Sequence, residues 1–499
     1  MKMMKTKNLI LFLFIAMTAS AQKQFTLEDL NFGGNNYHNM VPKNRYTAWW
    51  GDELIRTDYD HCSLIDKKTG KESLLFTVET LNNHGCQTTD GRKLNSLYNA
   101  TFPYPDQPLV LISNGTDRIL FDWKQQKCIW SQPCIGETHA EWNAASRAVA
   151  FVKDHNLYLT DAKGKTHQLT TDGSRDIVYG QVVNRDEFGI YKGTFWSNDG
   201  QKLAFYRMDQ SMVTDYPLVD INTRIAMLQP EKYPMAGEPI HQVKMGVYDL
   251  KTGRTIYLNT GDPTDRYFTN ICWSPDNRLI YLIELNRKQT DFSLDAYDAT
   301  TGNRVSTLYR EHSDKYVHPV NPITFLPWDA SKFVLQSEKD GFKHLYLFNI
   351  KGRQLKQLTA GKWLVLDLIG FNRTRKEAII LSNECNPIQN NLFAVSVQTG
   401  KRRLLDNGKG CHANINEPDR GHKLALSPMG NWIIDNFTTP DIPRNIDIIN
   451  VATGKSLSYF KAEDPWLGYQ VPEYLCGTIK AADGKTDLYY RLVKPVNFD

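Results

Sequence analysis

One pattern returns along the chain, and it restricts the available folds more than any single motif. An aromatic or apolar residue leads into a polar turn, a strand rich in β-formers follows, and a second strand ends in a turn containing Gly. Copies start at Glu141 ("EWNAASRAVAFVKDHNLYLTDAKGKTHQLT"), Phe195 ("FWSNDGQKLAFYRMD"), Cys272 ("CWSPDNRLIYLIELN"), Phe325, Gly370 and Ala425, with weaker ones at Arg45 and Leu109. Stretches such as "KLAFYRM" and "HLYLFNI" alternate apolar with polar residues between Asp, Asn and Gly turns, the signature of short antiparallel strands. Units of roughly 45 residues with four such strands match the blade of a β-propeller. Eight copies between Arg45 and Phe460 predict an all-β, eight-bladed β-propeller, whose radial closure also removes exposed sheet edges. Stacked sandwiches or a β-solenoid are the alternatives, but neither accounts for the irregular spacing and the recurring W-S-x-D-G-type turn.

Composition agrees with many strands: 24 Tyr, 22 Phe and 11 Trp sit in a chain that is 41% hydrophobic. At the N-terminus Lys2, Lys5 and Lys7 precede the apolar "LILFLFIAM", and Ala19-Ser20-Ala21 offers a cleavage site. Residues 1–21 therefore read as a signal peptide, and the product as exported to the periplasm, the cell envelope or the medium. A membrane anchor is the competing reading, but the apolar run is short for a bilayer. Loss of those three lysines takes the formal charge from 59 − 55 = +4 to 56 − 55 = +1, which leaves no argument for nucleic-acid binding.

Residues 22–44 form an N-terminal segment, with Thr26 and Asp29 spaced to cap a short helix. The propeller is expected over 45–470. From 471 to 499, "CGTIKA" and "DLYYRLVKP" flank an "ADGK" turn and predict a hairpin with nothing further to pack against it. Residues 209–240 interrupt the strand pattern, as insertions that shape a propeller's mouth or meet a neighbouring domain do; a loop without a task is the plainer reading. The eight cysteines show no metal-type CxxC pair. Cys128 and Cys134 could bridge a hairpin, and scattered buried thiols fit equally well. The 12 His lack metal-ligand spacing, so neither a metal nor a cofactor is expected. Asn99 and Asn114 lie in glycosylation sequons.

The stretch "NRDEFGIYKGTFWSNDGQKLAFYRMD" sets Asp186 beside Glu187 among aromatic residues. Adjacent acids are ordinarily a solvated turn. Two fixed carboxylates could instead take the three N–H donors of an α-ammonium. A glycosidase pair is the third reading, but neighbours in sequence rarely reach the ~5–9 Å separation across a glycosidic bond.

"RDEFGIYKGTFWSNDGQKLAFYRMDQSMVTDYPLVD", with the signal peptide and eight-blade spacing, resembles the propeller region of dipeptidyl peptidase IV-like enzymes of the prolyl oligopeptidase family. "DPWLGYQVPEYLCGTIKAADGKTDLYYRLVKPVNFD" resembles the join into their α/β-hydrolase domain. The resemblance implies that Glu187 and Asp186 bind the free amino terminus of a peptide substrate; Asp186 is one methylene shorter than the Glu usual there. It also implies an arginine near the substrate carbonyl. Arg118 is the nearest candidate, and a surface or ion-pair arginine is the plainer reading. Asp215 and Tyr216 match the family without a chemical role. The implied activity is a serine exopeptidase that releases N-terminal dipeptides with Pro or Ala second, and family members often form homodimers. No G-x-S-x-G occurs in the 499 residues, so the nucleophile is expected on a covalently continuous hydrolase domain, and this chain alone is expected to bind rather than cut. A stand-alone, non-catalytic peptide- or protein-binding propeller is the alternative.

Overall fold

The computed structural model describes residues 22–134, 136–413, 425–496 and 498. The expected signal peptide therefore lies outside the described residues. Eight antiparallel sheets follow one another between residues 47 and 461, spanning 47–77, 109–133, 138–168, 177–257, 266–312, 324–357, 365–404 and 432–461. We call them blades 1 to 8, and each corresponds to one copy of the sequence repeat. Blades 1, 3, 5, 6 and 7 are four-stranded meanders in chain order. Among the described residues, blades 2 and 8 have three full strands, and their first position is marked by single bridges, Thr101↔Leu111 and Leu426↔Ile433.

Blade interiors read as nearly continuous apolar runs because they are covered on both faces. Ala148–Lys153 is buried at all but its last residue, and Glu377–Ser382 throughout. The covering comes from the next blade round. Eight apolar clusters among the described residues each join two neighbouring blades. One of them sets Leu54 and Ile65 of blade 1 against Ile434, Ile446 and Ile448 of blade 8. Since every blade is built from consecutive strands, among the described residues the ring closes through this packing and through bonds to the Asp52 side chain from the Met429 amide and from Asn431.

The recurring turn explains the repeat chemically. Ser197 donates to Asp199 at 2.6 Å and accepts from the Lys202 amide at 2.9 Å; Ser274 donates to Asp276 at 2.5 Å and accepts from the Leu279 amide at 2.9 Å. The turns also latch blade to blade: the Asn198 amide donates to Asn277 at 2.8 Å, and Asn431 of blade 8 donates to Asp52 of blade 1 at 2.6 Å. Gly430 stands at φ +75°, where a Cβ would fall 2.0 Å from the Phe371 carbonyl oxygen, so this turn needs glycine to approach blade 7.

Residues Asn44–Lys461 form one compact unit. The described residues up to Lys43 form a second with Ala462 onward. In that second unit the Leu27–Leu30 helix is capped as expected, the Thr26 amide and hydroxyl each donating to Asp29 at 2.8 Å. The predicted hairpin is present as Glu473–Lys480 paired with Asp487–Lys494. The expectation that Cys128 and Cys134 could bridge a hairpin is corrected. Strand Lys127–Pro133 carries the first and ends just before the second, so they lie six positions apart along one strand. That is ~20 Å, whereas a disulfide needs Cα atoms within ~7 Å.

Candidate functional site

Blade 4 departs from the plan of its neighbours. Strands Ile177–Tyr179 and Thr194–Trp196 both pair with Lys202–Asp209, Tyr179 opposite Arg207 and Thr194 opposite Phe205. They are two halves of one strand position, and residues 180–193 leave the sheet between them. The insertion read from sequence at 209–240 is an antiparallel hairpin, Asp215–Asp220 with Met227–Lys232, set between the two central strands of the same blade.

The looped-out segment holds Asp186 and Glu187 in an unusual backbone. Asn184, Arg185, Asp186, Phe188 and Gly189 all have positive φ, between 53° and 73°. For residues with a Cβ this conformation costs roughly 1–2 kcal/mol each. Burial of Phe188 offsets it. The ring is 4% exposed, sits in the cluster between blades 5 and 6, and lies 4.7 Å from Tyr267 between centroids. Its carbonyl accepts from the Thr269 hydroxyl at 3.0 Å. Gly189 follows because a Cβ there would meet the Val320 carbonyl oxygen at 2.0 Å. Phe188 is thus the peg, and the neighbouring acids are what it holds outward.

Both carboxylates are exposed, and among the described residues neither has a hydrogen-bond or ion-pair partner. Asp186 lines a cavity of about 490 Å³ with Asn184, Arg175, Arg185, Lys232 and His241. Glu187 is not among the lining residues. It lies near Tyr267, whose hydroxyl pKa is raised by burial first, with Asp265 and Glu187 adding to the rise and Arg287 opposing it. The cavity's cations are already engaged. Arg175 holds Asp215 at 2.5 Å, Lys232 stands 3.6 Å from both Asp176 and Asp215, and Arg185 pairs with Glu231 while its guanidinium lies 4.9 Å over Tyr233. The local charge left without a counterpart is therefore negative.

Two lining residues escaped the sequence reading. Asn184 is 5% exposed, and both its side-chain oxygen and nitrogen are buried without a partner. A buried amide with nothing to bond is costly, so a ligand group here would gain by satisfying it. His241 is 3% exposed; burial, then the charge of Arg185, pushes it down to about 4, so it is neutral at pH 7. Neither stands in a motif: Asn184 is only one of the residue types that tolerate positive φ. Arg118 lies elsewhere, in blade 2, in a buried pair with Glu137 at 2.5 Å. Asp215 braces the base of the hairpin, and the Tyr216 ring lies 6.0 Å from Tyr233. Among the described residues no group of three or more His, Cys, Asp or Glu side chains is placed to hold a metal ion.

Fold and site together define an eight-bladed propeller that carries an acidic excursion on one blade. Residues 118–444 match the family described as the dipeptidyl peptidase IV N-terminal region, and the chain belongs to that family. A Bacteroides ovatus protein assigned as a dipeptidyl aminopeptidase IV is 41% identical, with a TM-score of 0.85 over 96% of this chain and 68% of its own. The dipeptidyl peptidase 4 of Porphyromonas gingivalis shares the fold at TM-score 0.75 and 20% identity, over 96% of this chain and 68% of its own. An Emericella nidulans protein assigned as dipeptidyl-aminopeptidase B is 26% identical over 387 residues, 68% of this chain and 42% of its own length. The inactive dipeptidyl peptidase 10 of Mus musculus is 24% identical over 432 residues, 79% and 51% of the two chains. The chain thus spans about half the length of these curated relatives.

Proposed function

We propose that the propeller binds the free amino terminus of a peptide through Glu187 and Asp186, within an exported serine dipeptidyl peptidase whose hydrolase domain is covalently continuous with it. The observation that carries this reading is two adjacent carboxylates on a pinned backbone, without partners among the described residues, beside a cavity whose cations are engaged. An α-ammonium supplies three donors and one positive charge, which such a pair lacks. Binding by the amino end sets the length of peptide between the acids and a nucleophile, and it disfavours blocked N-termini, which would leave the acids unpaired. Held so, the scissile carbonyl is presented with part of its entropic barrier already met. Dipeptides with Pro or Ala second are the proposed products. Homodimerisation is proposed through the hairpin of blade 4, where Leu218, Val219, Ile221, Ile225, Met227 and Leu228 are exposed.

The test uses the protein joined to its hydrolase domain on Gly-Pro and Ala-Pro chromogenic amides. Glu187→Gln should raise KM by about 10- to 100-fold, the worth of one charge-assisted bond, with melting temperature unchanged. Unaltered kinetics would count against the clamp. A second reading, a binding propeller without catalysis, draws on the similarity to the inactive mouse relative. Binding of free-amino peptides, blocked by N-acetylation, with no hydrolysis by the full-length product, would favour it.

A further inference from the structure

We propose that Cys86 and Cys128 are a redox pair that closes to a disulfide, tying the connection between blades 1 and 2 to the outer strand of blade 2. All eight cysteines are thiols in this structure. Cys86 follows the short helix Val78–Asn83 and hangs from it by its amide, which donates to the Leu81 carbonyl at 3.0 Å. Its side chain is fully buried in the cluster between blades 1 and 2, with Phe76, Phe121 and Trp123, and Cys128 packs against the same cluster from strand Lys127–Pro133. The two thiols share that cluster and are side-chain hydrogen-bond partners, a contact that raises Cys86, which burial raises further, and lowers Cys128. Cys62 shares the cluster, yet burial and the charge of Asp58 alone set its upward shift, and neither of the other thiols contributes.

The asymmetry orders the chemistry. Cys128 is half-buried and the better thiolate, whereas Cys86 is sealed. A disulfide oxidant such as oxidised glutathione is attacked by the Cys128 sulfur; its S–S bond breaks, one thiolate leaves, and a mixed disulfide forms. The Cys86 sulfur then attacks the Cys128 sulfur, passing its proton to the second glutathione thiolate as that group is expelled. Two protein thiols are oxidised and one glutathione disulfide is reduced to two thiols. The bridge adds a covalent tie to a segment that meets the blades through packing and through the Leu97–Tyr59 and Thr101–Leu111 backbone bonds, and it reduces the freedom of the unfolded chain between residues 86 and 128.

The full chain, purified reduced, is incubated folded with oxidised glutathione, trapped with N-ethylmaleimide in denaturant, and mapped as non-reduced peptides. A linked Cys86–Cys128 peptide is expected, with Cys62 and Cys134 alkylated, and a melting temperature about 4 °C above the reduced form. Alkylated Cys86 and Cys128, or a bridge from either to another cysteine, overturns the proposal. Cys128→Ser should lose the thermal gain and leave Cys86 alkylated; a gain that persists in this variant also overturns it. The readout involves no substrate, so its failure is separate from failure of the peptidase reading.

Discussion

Blades 4 and 5 stand side by side with the same Ser–Asp turn, yet they treat their first strand differently. In blade 5 the strand Arg266–Trp273 carries a bulge of one extra residue between Thr269 and Cys272. In blade 4 the equivalent position is broken by residues 180–193, most of a strand pair is forgone, and several residues take left-handed backbone. Both interiors bury apolar residues equally well, so packing does not demand the excursion. The bulge in blade 5 serves its neighbour, since Thr269 accepts the task of holding the Phe188 carbonyl. What the break achieves is placement: it carries two acids away from any cation of their own, at a backbone cost that only a buried peg can offset.

The sharpest way to break this comparison is to remove the peg. Phe188→Ala and Phe292→Ala both delete rings from the same cluster, and each should cost about 3–5 kcal/mol of stability. Only the first should also raise KM for free-amino peptides, because only it releases the acids. Equal kinetics in the two variants at a temperature where both are folded would separate the excursion from binding.

Two buried histidines give opposite pH signatures, one beside the excursion and one far from it. His241 is held at about 4, while the unfolded chain takes its proton near pH 6.5. Its stability contribution is whole above pH 6.5 and is lost as pH falls toward 4, by roughly 3 kcal/mol in all. His241→Gln should therefore melt with less acid sensitivity between pH 7 and pH 4. For His412, burial works against charge, but Asp435 at 2.7 Å and Asp406 at 3.7 Å outweigh it, and the Lys409 carbonyl takes the other ring nitrogen at 2.8 Å. Its folded pKa is raised, so its contribution is full below pH 6.5 and lost as pH rises through the folded value. His412→Gln should be destabilised most at pH 5–6 and least at alkaline pH. The same direction of pH dependence in both variants would mean that the two environments are not distinct.

Between the acids themselves the expected effects are smaller and unequal. Asp186 lines the cavity and Glu187 does not, so Asp186→Asn should lower affinity for any cation seated in the cavity, read by isothermal titration with a free-amino dipeptide. Should Glu187→Gln alone reduce binding, the ammonium sits on the Tyr267 side.

Much of this architecture was legible because a blade announces itself locally. Short apolar strands and a Ser–Asp turn need only a few consecutive residues, and in the turns Ser197 and Ser274 each donate to the Asp two residues on. Positions set by distant partners were not legible. Nothing near Asn184 in sequence tells that its amide is sealed without a partner, nor near Cys86 that its thiol meets Cys128. The spacing of Cys128 and Cys134 left a bridge and separate thiols equally open for the same reason: a strand separates what the alphabet places close. The acid pair stood out through its neighbours, but its lack of counter-ions is a property of the folded cavity.

The mildest test concerns the hairpin of blade 4. Asp215 joins Arg175 and Lys232 at its base, but Arg175 and Asp215 are both about half exposed, and exposed pairs contribute about 0–1 kcal/mol. Asp215→Asn should leave the melting temperature nearly unchanged. Arg175 would then lose its carboxylate while still donating to the Pro230 carbonyl at 2.8 Å, so the hairpin keeps that tie to the blade beside its Arg185–Glu231 and Lys232–Asp176 pairs. Freed of its counter-ion, the guanidinium adds positive charge to the cavity that Asp186 also lines. Binding of an ammonium should weaken by no more than a few-fold, and more so at low salt, since screening acts over ~10 Å at 0.1 M. A salt-independent loss would locate the effect in hairpin geometry instead, and blade 4 would then differ from blade 5 by its shape rather than by its charge.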